Sequence, residues 1–282
     1  MKQTFKALSR LNIEDAKMFE IQKSVTEEIQ EANLNKPPAY TTTFIYRKIM
    51  AMTGEDPFRT LKKQYNQIAL SLYPKYRERV ILSSNPLLTA SRLAIAGNII
   101  DFGIYDHGVD IEGTVERALQ EQIEVDHFQC FYKELQKHEE ILYLLDNAGE
   151  IVFDLMLIEV LTCMGKTVTA VVKGSPVIND VTMTDAIDVG LTDLCRVIDN
   201  GTDAVGTVLE FCSDTFTEEF NRHNLVISKG QGNFETLIDT DKNNFFLFQA
   251  KCDVIARALK LQTGAMLLMC RNKQGVQTNG RA

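Results

Sequence analysis

Two rhythms run along the chain. Up to about residue 128, apolar positions recur at helical spacing. Ile21, Val25, Ile29 and Ala32 fall on one face of a segment covering residues 13–32. Further helices are predicted over 41–52, 57–82, 86–96 and 111–122. Gly54 and Pro57 punctuate them, Pro74 reads as a kink or break, and Gly97 reads as a helix C-cap. From about residue 129, short apolar runs alternate with helical stretches. Residues 141–145, 167–172, 194–198, 225–228, 245–250 and 265–270 read as strands, and 150–164, 181–189 and 213–223 as helices. Strands alternating with helices imply a mostly parallel sheet covered on both faces. The predicted organisation is an all-helical region over 1–128 and an α/β region over 129–282. The polar end, 271–282, reads as a loose tail.

Composition narrows the function. The chain has 282 residues, 45% hydrophobic and 24% charged, so it can bury a sizeable core without disulfide staples. A net charge of −8 argues against a broad nucleic-acid-binding surface. No run of apolar residues reaches membrane-spanning length. Cys130, Cys163, Cys195, Cys212, Cys252 and Cys270 lack paired zinc spacing, sit mostly in apolar segments and read as reduced and structural, which fits a cytoplasmic setting. His107, His127, His138 and His223 form no metal-binding pair and read as surface or loop residues. The basic positions Lys62, Lys63, Lys75, Arg77 and Arg79 read as the solvated face of a helix.

In open α/β sheets, ligands bind beyond the carboxyl ends of the strands. Four strand ends here carry acids, amides, glycines and lysines: Asp146-Asn147-Ala148-Gly149-Glu150, Lys173 to Asp180, Ser228-Lys229-Gly230-Gln231-Gly232-Asn233, and Gln249-Ala250-Lys251. Asp146, Asn147 and Asp180 offer only oxygen ligands, a set suited to Mg²⁺ or Mn²⁺ rather than zinc. Aspartates in such places also serve as helix N-caps. Lys229 with Gly230 and Gly232 forms a turn able to bring backbone N–H groups and a positive charge to phosphate, or simply a turn. Lys251 reads either as a rim cation or as a surface lysine with a buried stem. Asn98 and Asp101 follow a first-half helix and either face the cleft between the halves or satisfy a local turn.

Together, Gly97-Asn98-Ile99-Ile100-Asp101, the Leu144 to Glu150 string, Asn179-Asp180-Val181-Thr182, the Ser228 to Asn233 string and Ala250-Lys251-Cys252 resemble the damage-control phosphatase family, also described as acidic-residue methyltransferase-like. They occur in the family's order. The resemblance implies a three-layer α/β/α sandwich with a helical N-terminal region packed on it. It also implies hydrolysis of small phosphorylated metabolites such as sugar phosphates, dependent on Mn²⁺, Mg²⁺, Co²⁺ or Ni²⁺. By that resemblance the metal falls to Asp146, Asn147 and Asp180. Substrate falls to Asp146, Asn147, Lys229, Gly230, Gly232, Asn233 and Lys251, with Asn98, Asp101 and Glu150 as further contacts. The microbial branch usually carries a Cys-x-x-Cys pair near its start, whereas the first cysteine here is Cys130.

The expected mechanism is attack by metal-activated water, with Asp180 orienting the water and Asp146 at the metal. Asp146-Asn147-Ala148 does not match the D-x-D-x-T/V pattern of aspartyl phosphoenzymes, which favours direct attack by water and leaves Asp146 as nucleophile the alternative step. Two alternatives remain open at this level: an S-adenosylmethionine-dependent carboxyl methyltransferase, and a phosphometabolite-binding protein without turnover.

Overall fold

The computed structural model describes residues 2–11, 13–99 and 111–271. Ile100, Asp101, His107 and residues 272–282, named above, lie outside the described residues. The helices α1 (Lys2–Leu8), α2 (Asp15–Gln30) and α3 (Pro38–Thr53) come first. Pro38 starts α3 with its φ already set, and Gly54 ends it at φ 71°, a left-handed conformation that glycine adopts without a Cβ clash. Then follow α4 (Arg59–Ile81), α5 (Pro86–Ile99) and α6 (Ile111–Gln120).

The α/β region runs β1 (Ile123–Asp126), α7 (Phe128–Lys137), β2 (Glu140–Leu144), α8 (Glu150–Cys163) and β3 (Thr167–Val172). It continues with α9 (Met183–Asp188), α10 (Leu191–Leu194), β4 (Arg196–Asp199), a 3₁₀ turn at Leu209–Phe211 and α11 (Asp214–Arg222). The chain closes with β5 (Leu225–Lys229), α12 (Gly230–Leu237), β6 (Asn243–Gln249), α13 (Asp253–Ala258) and β7 (Met266–Cys270).

The strands form one sheet in the order β1-β7-β6-β5-β2-β3-β4. The five strands from β2 to β6 run parallel, while β7 runs antiparallel to β6 and carries β1 alongside it. Alternate residues of the central strands face opposite layers, as the two-residue strand period requires. Ile141 and Tyr143 of β2 join a core with α4, α5, α7 and α8, whereas Leu142 and Leu144 join one with α11, α12 and α13. The fold is the expected three-layer α/β/α sandwich. Helix α8 is buried on nearly every face because it lies between the sheet and the layer of α4 and α5. No helix among the described residues is long and apolar enough to cross a membrane.

Four local expectations change. Pro74 sits inside α4 without ending it; the residue is exposed, so the backbone hydrogen bond it forfeits is lost on the solvent side. Gly97 is not a C-cap but lies within α5, where an added Cβ would stand 3.1 Å from Phe153 Cβ. Its missing side chain lets α5 and α8 approach closely. Strand β1 falls before the expected boundary at 128/129 and joins the sheet edge beside β7. His223 is buried rather than superficial; its Nδ1 lies 2.8 Å from Glu219 O, closing the end of α11.

Candidate active site

Strand order makes the rim. The carboxyl ends of β6, β5, β2 and β3 are adjacent, so the four chemistry-bearing strings converge. The Val181 amide donates to Asp146 O (2.9 Å) and the Ala148 amide to Asn179 O (2.8 Å). This short antiparallel bridge sets Asn147 opposite Asp180. Asp146, Asn147 and Asp180, 34 positions apart at the extremes, thus meet through backbone pairing.

Neither aspartate is a helix cap. Thr182 caps α9 in a reciprocal box with Asp185, and Gly149 precedes α8. Both Asp146 and Asp180 are therefore left to face the rim.

Asn98, 1% exposed at the end of α5, binds the site together. Its Nδ2 donates to Asp146 Oδ2 and Glu150 Oε2, both at 3.0 Å, and its Oδ1 accepts from the Gln249 amide at 3.1 Å. Asn147 Nδ2 likewise donates to Asp146 Oδ2 (2.6 Å) and Glu150 Oε2 (3.0 Å).

The glycine string is the start of α12 rather than a free turn. Gly230 has φ 79°, and a Cβ there would come within 1.9 Å of Asp146 Oδ2. Only glycine lets this backbone lie against the carboxylate. Gly232 packs on Gly206: a Cβ on Gly206 would stand 2.3 Å from Gly232 O.

Lys229 departs from its expected role. It is fully buried and donates to Glu150 Oε1 (2.5 Å), Asp154 Oδ1 (2.8 Å) and Ala94 O (2.8 Å). Those three bonds exhaust its ammonium. It works beneath the site, holding Glu150, instead of on the rim. Asn233 is similarly committed: it donates to Leu145 O (3.2 Å) and Lys229 O (2.8 Å) and accepts from Thr207 Oγ1 (2.7 Å). Lys251 follows β6, its amide donates to Gln231 Oε1 (2.9 Å), and its charge reaches Asp146.

Three residues without an assigned role in the sequence complete the surroundings. Lys173, just past β3, pairs with Asp180 Oδ2 at 3.4 Å and donates to Ala204 O (2.8 Å) and to Gly206 O. Lys62 and Asn66 of α4 are buried, not solvated, and reach the turns that carry the aspartates. The missed signal for these two is periodic: Lys62, Tyr65, Asn66 and Ala69 share one helical face with the apolar core.

The electrostatics are unbalanced at Asp146. Burial, then the negative charges of Glu150 and Asp180, hold its carboxyl well above the usual range, while Lys251 and Lys173 pull it down only in part. Burial also raises Asp180 against the opposing charges of Lys173 and Lys62. Among the described residues no three His, Cys, Asp or Glu side chains cluster closely enough to hold a metal. The oxygen donors are instead two carboxylates and an amide. Excess buried negative charge on hard oxygen donors fits a divalent cation, which would relieve it.

Fold and rim together define a class: a three-layer α/β protein with a partly buried acid–amide cluster at the carboxyl edge of a mostly parallel sheet. The model of the damage-control phosphatase ARMT1-like domain matches residues 1–267, and the chain belongs to that family. It is 37% identical over 247 residues to a damage-control phosphatase of Pyrococcus horikoshii, covering 86% of this chain and 85% of the relative. It is 32% identical over 235 residues to one of Archaeoglobus fulgidus, covering 81% of each. An uncharacterized protein of Methanocaldococcus jannaschii is 34% identical, covering 96% of this chain and 92% of that one. A crystal structure of a DUF89 family protein from Pyrococcus horikoshii superposes with a TM-score of 0.87 at 31% identity, covering 96% and 95% of the two chains.

Proposed function

We propose that this chain hydrolyses phosphate monoesters of small metabolites with the help of a divalent cation, Mn²⁺, Mg²⁺, Co²⁺ or Ni²⁺. The observation that carries the reading is the bridge that sets half-buried Asp146 and Asn147 against buried Asp180 at the rim, where Glu150 and Asp180 add negative charge beside Asp146. Family membership supports a phosphatase. Asp146, Asn147 and Asp180 would hold the cation. Once bound, the cation supplies positive charge against the phosphate oxygens and makes water a better nucleophile.

The protein's own groups do the rest. The amino end of α12, pressed against Asp146 at Gly230, adds partial positive charge where a phosphate would lie. Lys251 adds a full charge at the same rim. Asp180, steadied by Lys173, accepts a hydrogen bond from the attacking water and orients it. Asn98, which donates to both Asp146 and Glu150, keeps Asp146 in place. The substrate class proposed is a small phosphorylated metabolite, sugar phosphates included. One contact disfavours the methyltransferase alternative. The Gly149 amide that a cofactor loop after β2 would offer already donates to Asn66 Oδ1 at 2.7 Å.

Release of phosphate from p-nitrophenyl phosphate and a panel of sugar phosphates, with EDTA and with added Mn²⁺, tests the reading. Wild type is expected to be active only with the cation. Asp146→Asn is expected to lose at least about a hundredfold in turnover while melting like wild type, the cost of removing a charged group that acts mainly on the transition state. Undiminished turnover in that variant overturns the assignment.

A further inference from the structure

Helix α4 belongs to the N-terminal helical region, yet two of its side chains hold the turns that bear the aspartates. Lys62 Nζ donates to Asp180 O (3.2 Å) and to Asp185 Oδ2 (2.8 Å). One turn later, Asn66 Nδ2 donates to Asp185 Oδ1 (3.2 Å), while its Oδ1 accepts from the Gly149 amide (2.7 Å). Asp185 also accepts from the Thr182 amide and hydroxyl at 2.9 and 2.8 Å. Lys62, Asn66 and Asp185 are 5%, 2% and 5% exposed. A continuous set of hydrogen bonds therefore links the turn after β2, through α4, to the turn after β3.

Stability alone is a poor account of this arrangement. A buried ion pair such as Lys62–Asp185 recovers at best about what its desolvation costs, and apolar side chains of similar volume serve stability as well. What the pair does supply is direction. Apolar contacts slide, whereas hydrogen bonds at both ends of a four-residue helical step fix where Asp180 O and Gly149 N lie. Those atoms adjoin the residues that would share a cation, and cation–oxygen distances tolerate only a few tenths of an ångström.

We infer that Lys62 and Asn66 are positioning residues: they set the separation between the Asp146–Asn147 turn and Asp180, and so set the strength with which the two turns grip a divalent cation. The inference rests on the phosphatase reading for the presence of that cation. It gives the helical region a part in the chemistry of the sheet rim without touching substrate.

The test is direct Mn²⁺ binding by the purified chain, read from the electron paramagnetic resonance of free Mn²⁺, alongside thermal melting and phosphate release. Lys62→Met and Asn66→Ala are expected to weaken Mn²⁺ binding about tenfold or more, the usual effect of removing groups that orient metal ligands. Their turnover should recover in part at high Mn²⁺. Lys62→Arg, which keeps donors for both acceptors, should bind within about threefold of wild type, less than half a log unit in Kd. Arg77→Ala, elsewhere on α4, which removes a pair with Glu159 of α8 near the surface, should bind like wild type. If Lys62→Met fails to fold, Asn66→Ala and Lys62→Arg still decide. Wild-type Mn²⁺ affinity in Asn66→Ala, whatever its melting temperature, overturns the inference and leaves the phosphatase reading standing. A wild-type chain that neither binds Mn²⁺ nor releases phosphate with it overturns both.

Discussion

Single residues in this site owe their roles to direction as much as to identity. Asp146 and Asp180 were recognisable because acids directly after apolar strands, in a protein of this class, fall on the binding edge. Lys229 stood in an equally suggestive place, but the sequence does not say whether an ammonium rises to the rim or drops beneath it. Here it drops, to Glu150 and Asp154, which repeat at helical spacing on one face of α8. Asp154 also accepts from the Tyr143 hydroxyl at 2.7 Å. Lys229→Met would leave two buried carboxylates without their cation. Urea unfolding should show a loss of about 3–5 kcal/mol, the cost of breaking a buried ion pair from one side. A loss below about 1 kcal/mol, the scale of surface pairs, would mean the network is solvated in solution.

At the scale of elements, the long amphipathic and strand patterns were readable, and the places where elements meet were not. The strand β3 and the helices α4 and α11 lie close to where hydrophobic periodicity puts them. Strand β1 was missed because four residues with only two buried positions carry too little pattern. Gly97 shows the ambiguity of a glycine near a helix end, which marks a cap or a close crossing with the same letter. Its Cα faces Phe153, which is 1% exposed and has no room to retreat. Gly97→Ala gains up to about 1 kcal/mol of helix propensity but overpacks the α5–α8 contact by about 1–3 kcal/mol. Net destabilisation in a thermal melt is the expected result, and a raised melting temperature would show that the helices can part freely.

For the whole molecule, the net charge of −8 says nothing of how charge is placed, and buried acids away from Asp146 are paired with lysines. Asp154 gives that pairing a measurable signature. Burial raises its carboxyl from 3.8 to about 6 against the pull of Lys229. The folded state then holds this proton more tightly than the unfolded chain does. The group's contribution to stability is full below 3.8, shrinks as pH rises, and is gone above about 6. Asp154→Asn should therefore flatten the dependence of unfolding free energy on pH across that window, relative to wild type, in denaturant titrations at successive pH values. An identical slope in the two proteins would place the Asp154 carboxyl in its ordinary range. Sequence by itself determined the fold class, the alternation that builds a parallel sheet, and the strings that line its edge, because periodicity and strand ends are local properties of the chain. Tertiary structure alone decided that α4 reaches into that edge, that Lys229 serves it from below, and that Asp146 is starved of positive charge. Each of those depends on which distant side chains share one small volume, and neither spacing nor composition records that.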